Sequence, residues 1–231
     1  MKKYFLGLIL VAFCITVNTN VFAQDCSTYY PLNEGTTFEM TGYDKKDKQT
    51  AVVSYKMTSV TTEGNKTIAM VETEVFDDKN ESILKSSYNI TCEDGHIAID
   101  FKSLITPEMF SQYKDMEIDI TGTDMIIPNN LSVGNTIPDS DVLMTIKMTP
   151  IQMKLSVKML NGKVEKRENI TTPAGTFDCY VISFETEFKM GLKRKGKTRQ
   201  WLAKGVGLVK SEDYNKKGKV ISKSLLTKFS K

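Results

Sequence analysis

The chain has 231 residues, 40% of them hydrophobic, with 31 lysines and arginines against 28 aspartates and glutamates, a net charge of +3. A single histidine, His96, leaves histidine-dependent acid–base chemistry without a second partner. No apolar run reaches the length of a membrane-spanning helix.

The first 23 residues read as a cleaved secretory leader. Lys2 and Lys3 precede an apolar run from Tyr4 to Val17, and Val21-Phe22-Ala23 supplies a small-residue cleavage pattern. Residues 24–231 are then expected to form one β-rich domain in the periplasm or outside the cell. No cysteine follows a small residue at the cleavage point, so no lipid anchor is expected. Beyond the leader the chain keeps Cys26, Cys92 and Cys179. An oxidising compartment favours one disulfide and one leftover thiol. Cys26 lies in a polar lead-in that would fray unless fixed, and Cys92 ends a strand before Glu93-Asp94-Gly95, so these two are expected to pair. Cys179 sits in an apolar strand and reads as a buried hydrophobe.

Period-two alternation dominates the rest. Strands are predicted at 36–43, 50–60, 67–76, 81–90, 96–101, 116–121, 141–148, 151–159, 163–170, 176–188, 197–203, 206–213 and 219–229. Turn chemistry separates them, and Asn161-Gly162 is expected to close a two-residue hairpin. One short helix is predicted from Thr106, a capping residue, through Pro107 to about Asp115. The fold class is therefore all-β: one antiparallel sandwich or an open or half barrel of about a dozen strands, which pattern alone does not separate.

Few residues carry chemistry. Asp119 with Asp124, or Glu185 with Glu187, are the carboxylate pairs to consider, but alternating acids on strands ordinarily face water. Asp139-Ser140-Asp141 lacks the glycine and closing glutamate of a calcium loop. Three scattered cysteines and one histidine lack metal-ligand spacing. Gly205 and Gly207 read as a bulge or a close backbone approach. Met125, Met144, Met148, Met153 and Met159 read either as irregular core filling or as the lining of an adaptable apolar cavity. Charge is lopsided: residues 24–188 hold 15 basic and 26 acidic side chains, and residues 189–231 hold 14 and 2. The dense run Lys193, Arg194, Lys195, Lys197 and Arg199 is the candidate anionic-surface site, unless neighbouring acidic strands neutralise it.

Four segments carry a family resemblance. They are Cys26-Ser27-Thr28-Tyr29-Tyr30-Pro31-Leu32 with Glu34-Gly35-Thr36 and Tyr43-Asp44-Lys45-Lys46, Leu131 to Asp139, Thr172 to Tyr180, and Gln200 to Lys210. In this order they resemble the TapB-like proteins, related to the domain of unknown function numbered 3108. The resemblance implies an exported β-rich protein of a Gram-negative envelope and supplies no established catalytic residue.

The expectation is a non-catalytic interaction or scaffold module of the cell envelope, using no cofactor and no metal. Its partner would be an envelope protein, a glycan or a lipid, and not nucleic acid. The alternative is a carrier that holds a lipid-like apolar ligand inside an open barrel.

Overall fold

The computed structural model describes residues 26–105, 116–148 and 150–231. The leader and the helix expected over Thr106–Asp115 lie outside these residues. Fourteen strands follow one another: β1 (Thr37–Asp44), β2 (Gln49–Glu63), β3 (Lys66–Phe76), β4 (Ser82–Glu93), β5 (His96–Ile99), β6 (Glu117–Thr123), β7 (Met125–Pro128), β8 (Thr136–Ile137), β9 (Ser140–Met148), β10 (Ile151–Thr172), β11 (Gly175–Met190), β12 (Leu192–Ala203), β13 (Gly207–Asn215) and β14 (Val220–Ser230). A 3-10 turn over Phe101–Leu104 is the one helical element among the described residues. It is started by Asp100, whose carboxylate accepts from the Lys102 amide.

All the ladders are antiparallel and belong to one sheet, in the order β6-β9-β10-β11-β12-β13-β14-β1-β2-β3-β4-β5-β7, with β8 on β10. The two edge strands, β6 and β7, are consecutive in the chain and separated by Asp124 alone. The chain therefore bridges the two sheet edges itself, and the sheet is a nearly closed barrel rather than a sandwich. The last strand closes the middle of the sheet by pairing with the first, from Thr37↔Ser230 to Asp44↔Ser222.

The expected hairpin at Asn161-Gly162 is a bulge instead. Asn161 does take the left-handed conformation, φ 54°, but β10 continues through it. Its pairing with β11 slips between Leu160 and Lys163 and then resumes. Gly162 is required there for closeness. A Cβ on it would stand 2.7 Å from both the Ile137 Cβ and the Phe184 ring. β10 reverses into β11 only at Pro173-Ala174, where Thr172 pairs with Gly175, and β11 reverses into β12 at Gly191, where Met190 pairs with Leu192, so β12 begins earlier than the alternation implied.

Packing reflects the alternation. Ile182, Phe184 and Leu202 join Val164, Met57, Ile90, Ile97 and Ile127 in the main core. The residues between them, Cys179, Val181, Trp201 and Ala203, form a second cluster that includes Phe38, Met40 and Leu226. β11 thus buries both faces, which is why Val181–Phe184 is entirely buried.

One end of the barrel is sealed by the segment before β1. Cys26 is bonded to Cys92, the pairing expected from the sequence. The Thr28 amide donates to the Asn129 side chain at 3.0 Å, which donates in turn to the Cys26 carbonyl at 2.6 Å, and the Gly205 amide donates to the Thr28 carbonyl at 3.0 Å. Tyr29 is fully buried, edge-on to Tyr180 at 6.3 Å. Tyr30 lies against Gly207, whose φ of 93° and missing Cβ make room for the ring. Burying each aromatic side chain stabilises by roughly 2–3 kcal/mol.

Candidate functional site

The opposite end is built from hairpin turns. In an antiparallel meander the turns alternate between ends, so β1–β2, β3–β4, β9–β10, β11–β12 and β13–β14 all reverse at this end. Inside it lies a cavity of about 640 Å³. Its apolar wall is Leu104, Val157, Met159, Phe188, Leu208 and Ile221. Met159 belongs to the main core, and Val157 and Phe188 pack on a third cluster of Met144, Ile146 and Leu155. The cavity therefore fills the gap between two apolar clusters. Leu104 reaches it from the 3-10 turn, which the Asp124 carboxylate holds by accepting from the Phe101 amide at 3.0 Å.

The facing wall, from β12 to β14, adds Leu208 and Ile221 to that apolar lining and carries the polar groups. Gln200, Ser211 and Ser224 stand opposite one another across consecutive ladders and line the cavity. Beside them the Asp213 carboxylate accepts from the Thr198 hydroxyl at 2.6 Å and from the Ser222 hydroxyl at 2.8 Å. At the outer lip Arg194 faces the cavity directly opposite Phe188. A wall of this kind, apolar with a few placed polar groups, is the usual lining of a small-molecule site, and the volume falls within the range of about 300–1,000 Å³ seen for such sites.

The basic run divides by strand alternation. Lys193, Lys195, Lys197 and Arg199 share one face of β12, and Arg194 lies on the other. Lys193 and Lys195 grip Glu187 at 2.5 and 2.8 Å. Lys197 and Arg199 grip Glu165, both at 2.8 Å. These contacts show in the carboxyl groups. Bonds from Lys193 and Lys195 bring Glu187 down to about 2. Burial opposes ionisation of Glu165, but bonds from Lys197, Ser183 and Arg199 outweigh it and bring that carboxyl to about 2 as well. Arg194 alone of the five makes no ion pair among the described residues. Glu165 sits at a second register slip of β10, a displacement that alternation does not reveal.

The methionines separate too. Met159 lines the cavity. Met125 is buried in the main core, Met144 in the third cluster, and Met153 packs on that cluster. Met148 pairs with Ile151 at the β9–β10 turn.

The remaining candidates do not converge. Cys92 is disulfide-bonded, so His96, opposite Glu93, has no thiol to activate. Asp124 serves the 3-10 turn, and Asp119 faces Thr145 in the β6–β9 ladder. Glu185 accepts from the Asn161 side chain at 3.1 Å, and Asp139 from the Asn161 amide at 2.8 Å. Cys179 is a buried free thiol, pushed up to about 12 by burial and then by Asp178 and Glu168. Among the described residues no three histidine, cysteine or acidic side chains gather as a metal site.

Two solved structures share this architecture. A predicted exported protein with a YmcC-like fold from Bacteroides fragilis NCTC 9343 aligns with a TM-score of 0.76 at 20% identity, covering 89% of this chain and 100% of that one. A predicted lipoprotein from Parabacteroides distasonis ATCC 8503 aligns with a TM-score of 0.76 at 24% identity, covering 90% and 100%. At these identities the likeness is one of fold. No curated protein matches the chain. Of the two family names that the sequence motifs evoked, the one that matches is the domain-of-unknown-function family, and it does so from residue 33 to residue 226. The chain thus belongs to the DUF3108-like family.

Proposed function

We propose that the protein is an exported, non-catalytic carrier that holds the apolar part of an amphipathic molecule in the cavity at the open end of the barrel. The observation that carries this reading is the cavity itself, about 640 Å³, apolar on the β10–β11 side and lined by both hydroxyls and the apolar Leu208 and Ile221 on the β12–β14 side. The apolar portion of the ligand lies against Val157, Met159 and Phe188. Its head, an anionic group, meets Arg194 at the lip, where a guanidinium offers donors in a fixed fork. Export is supported by the leader pattern, by the disulfide, which persists in oxidising compartments, and by the exported and lipoprotein descriptions of the two structural relatives. The scaffold reading relied on the basic face of β12, whose four cations are each held in an ion pair with Glu165 or Glu187, so that half of their charge is offset within the fold.

The reading is tested by titrating the protein with anilinonaphthalene sulfonate and displacing the probe with a long-chain fatty acid. Saturable binding with one-to-one displacement is expected. Arg194→Ala should weaken the fatty acid about tenfold, the order of one charge-assisted hydrogen bond. Ser224→Trp should fill the cavity and abolish probe binding. Probe binding that ignores Ser224→Trp would place it elsewhere and refute the reading.

A further inference from the structure

Exposed apolar side chains are concentrated at the open end. Of the nine large hydrophobic residues most exposed among the described residues, only Met70 and Val133 lie away from it. On the arc from β9 to β14 the exposed residues stand on separate hairpin tips. Ile151, 66% exposed, follows the β9–β10 turn. Met190 and Leu192, the latter 81% exposed, flank Gly191. Val220 and Ile221 follow the β13–β14 turn. Lysines accompany each tip. Lys154 follows Ile151, Lys189 precedes Met190, and the β13–β14 turn holds Lys216, Lys217 and Lys219. No acidic residue occurs after Asp213. None of these five lysines makes an ion pair among the described residues, in contrast to the cations on the flank of β12.

We infer that this arc is a docking surface for an anionic lipid bilayer. Ile151, Leu192 and Ile221 insert at the boundary of headgroups and acyl chains, and Lys189, Lys216, Lys217 and Lys219 lie at the level of the phosphates. Charge complementarity selects the occupant: unpaired lysines around apolar tips fit a negative surface with an apolar layer beneath it. The shape agrees. A protein partner needs a contiguous apolar patch to cover, whereas these residues stand on three separate fingers that can each enter lipid alone. The arc is continuous with the cavity mouth, since Phe188, Arg194, Asn215 and Ile221 belong to the same hairpins and line the cavity. Docking would present that mouth to the bilayer. The inference stands on the turn residues and does not require the cavity to be occupied.

The test is flotation of the purified protein with vesicles of phosphatidylglycerol and phosphatidylethanolamine, against vesicles of phosphatidylcholine alone. Flotation with the anionic vesicles, weakened by added salt, is expected. Ile151→Asp with Leu192→Asp should reduce the apparent affinity more than tenfold. Lys216→Gln with Lys217→Gln and Lys219→Gln should reduce it roughly a hundredfold, since each lysine near an anionic surface contributes about fivefold. All five side chains are exposed, so an unchanged urea midpoint confirms that the variants fold. Equal flotation of either variant and the parent would overturn the inference. So would flotation that does not distinguish the two vesicle types. Concentration-dependent dimerisation lost in the aspartate variant, without flotation, would assign the tips to a second copy of the chain and also overturn it. Loss of flotation with intact probe binding in the cavity separates this inference from the carrier reading.

Discussion

Reducing the Cys26–Cys92 bond, or replacing Cys26 with Ser, should unseal the closed end of the barrel. The bond spans 66 residues. On the chain-entropy relation, a loop of that length removes about 15 cal/mol/K from the unfolded chain, or about 4 kcal/mol at 25 °C. In a domain of this size each kcal/mol moves the melting temperature by about 2–4 °C, so a fall of about 8–16 °C is expected. The loss should also have a place. Residues 26–35 have the Asn129 side chain, bonded to both Thr28 and the Cys26 carbonyl, the Thr28–Gly205 and Gly35–Met57 backbone bonds, and the buried rings of Tyr29 and Tyr30 as their remaining anchors. Hydrogen exchange should therefore accelerate in that segment and in β5 beside it, and much less in β9–β12. Urea denaturation of oxidised, reduced and Cys26→Ser protein measures the first effect, and exchange mass spectrometry the second. A stability change below about 1 kcal/mol, with protection over residues 26–35 intact, would refute the reasoning. It would show that the aromatic plug and its hydrogen bonds hold the segment without the crosslink.

Gly162→Ala should destabilise by about 1–3 kcal/mol in urea, because its Cβ would overlap Ile137 and Phe184, and a parental midpoint would remove the close-approach account of the bulge. Glu165 has a carboxyl lowered from 4.5 to about 2 in the fold, so its contribution is present above the unfolded value and fades as pH falls from about 4.5 to about 2. Glu165→Gln should flatten that acid limb of the stability curve, and an unaltered limb would count against the cluster. Tyr29, raised from 10.0 to about 12 by burial and then by Tyr180, contributes stability that is present below pH 10 and lost as pH rises toward 12. Tyr29→Phe should delay alkaline unfolding, to be followed by circular dichroism.

The strands were legible because alternation is a direct imprint of a half-buried sheet: Leu155 and Met159 are buried and Lys154 and Lys158 exposed as the pattern requires, although Ile151, at the hairpin tip beyond the core, is exposed. The disulfide was legible for a similar reason, since an oxidising compartment and a loose lead-in leave few pairings. The bulge at Asn161-Gly162 was not, because the residues that make a hairpin tolerate positive φ equally well inside a long strand. Short strands such as β7 and β8 carry too few residues to show a period. The cavity was half legible. The methionines pointed to an adaptable apolar interior, yet Met159 alone of the five is known to line it, because which hydrophobes meet and which leave a gap depends on curvature across the sheet. The basic run illustrates the same limit. Half of its pairing depends on Glu165, 28 residues upstream of Lys193 and brought beside β12 only because β10 and β12 flank β11.

Native mass spectrometry of the protein purified gently from its own host tests the carrier account most directly. The account predicts a population carrying a single lipid-like mass, released by mild activation and absent from Ser224→Trp. A bare chain in both proteins, with no mass shift after incubation with fatty acid or lysophospholipid, would contradict it.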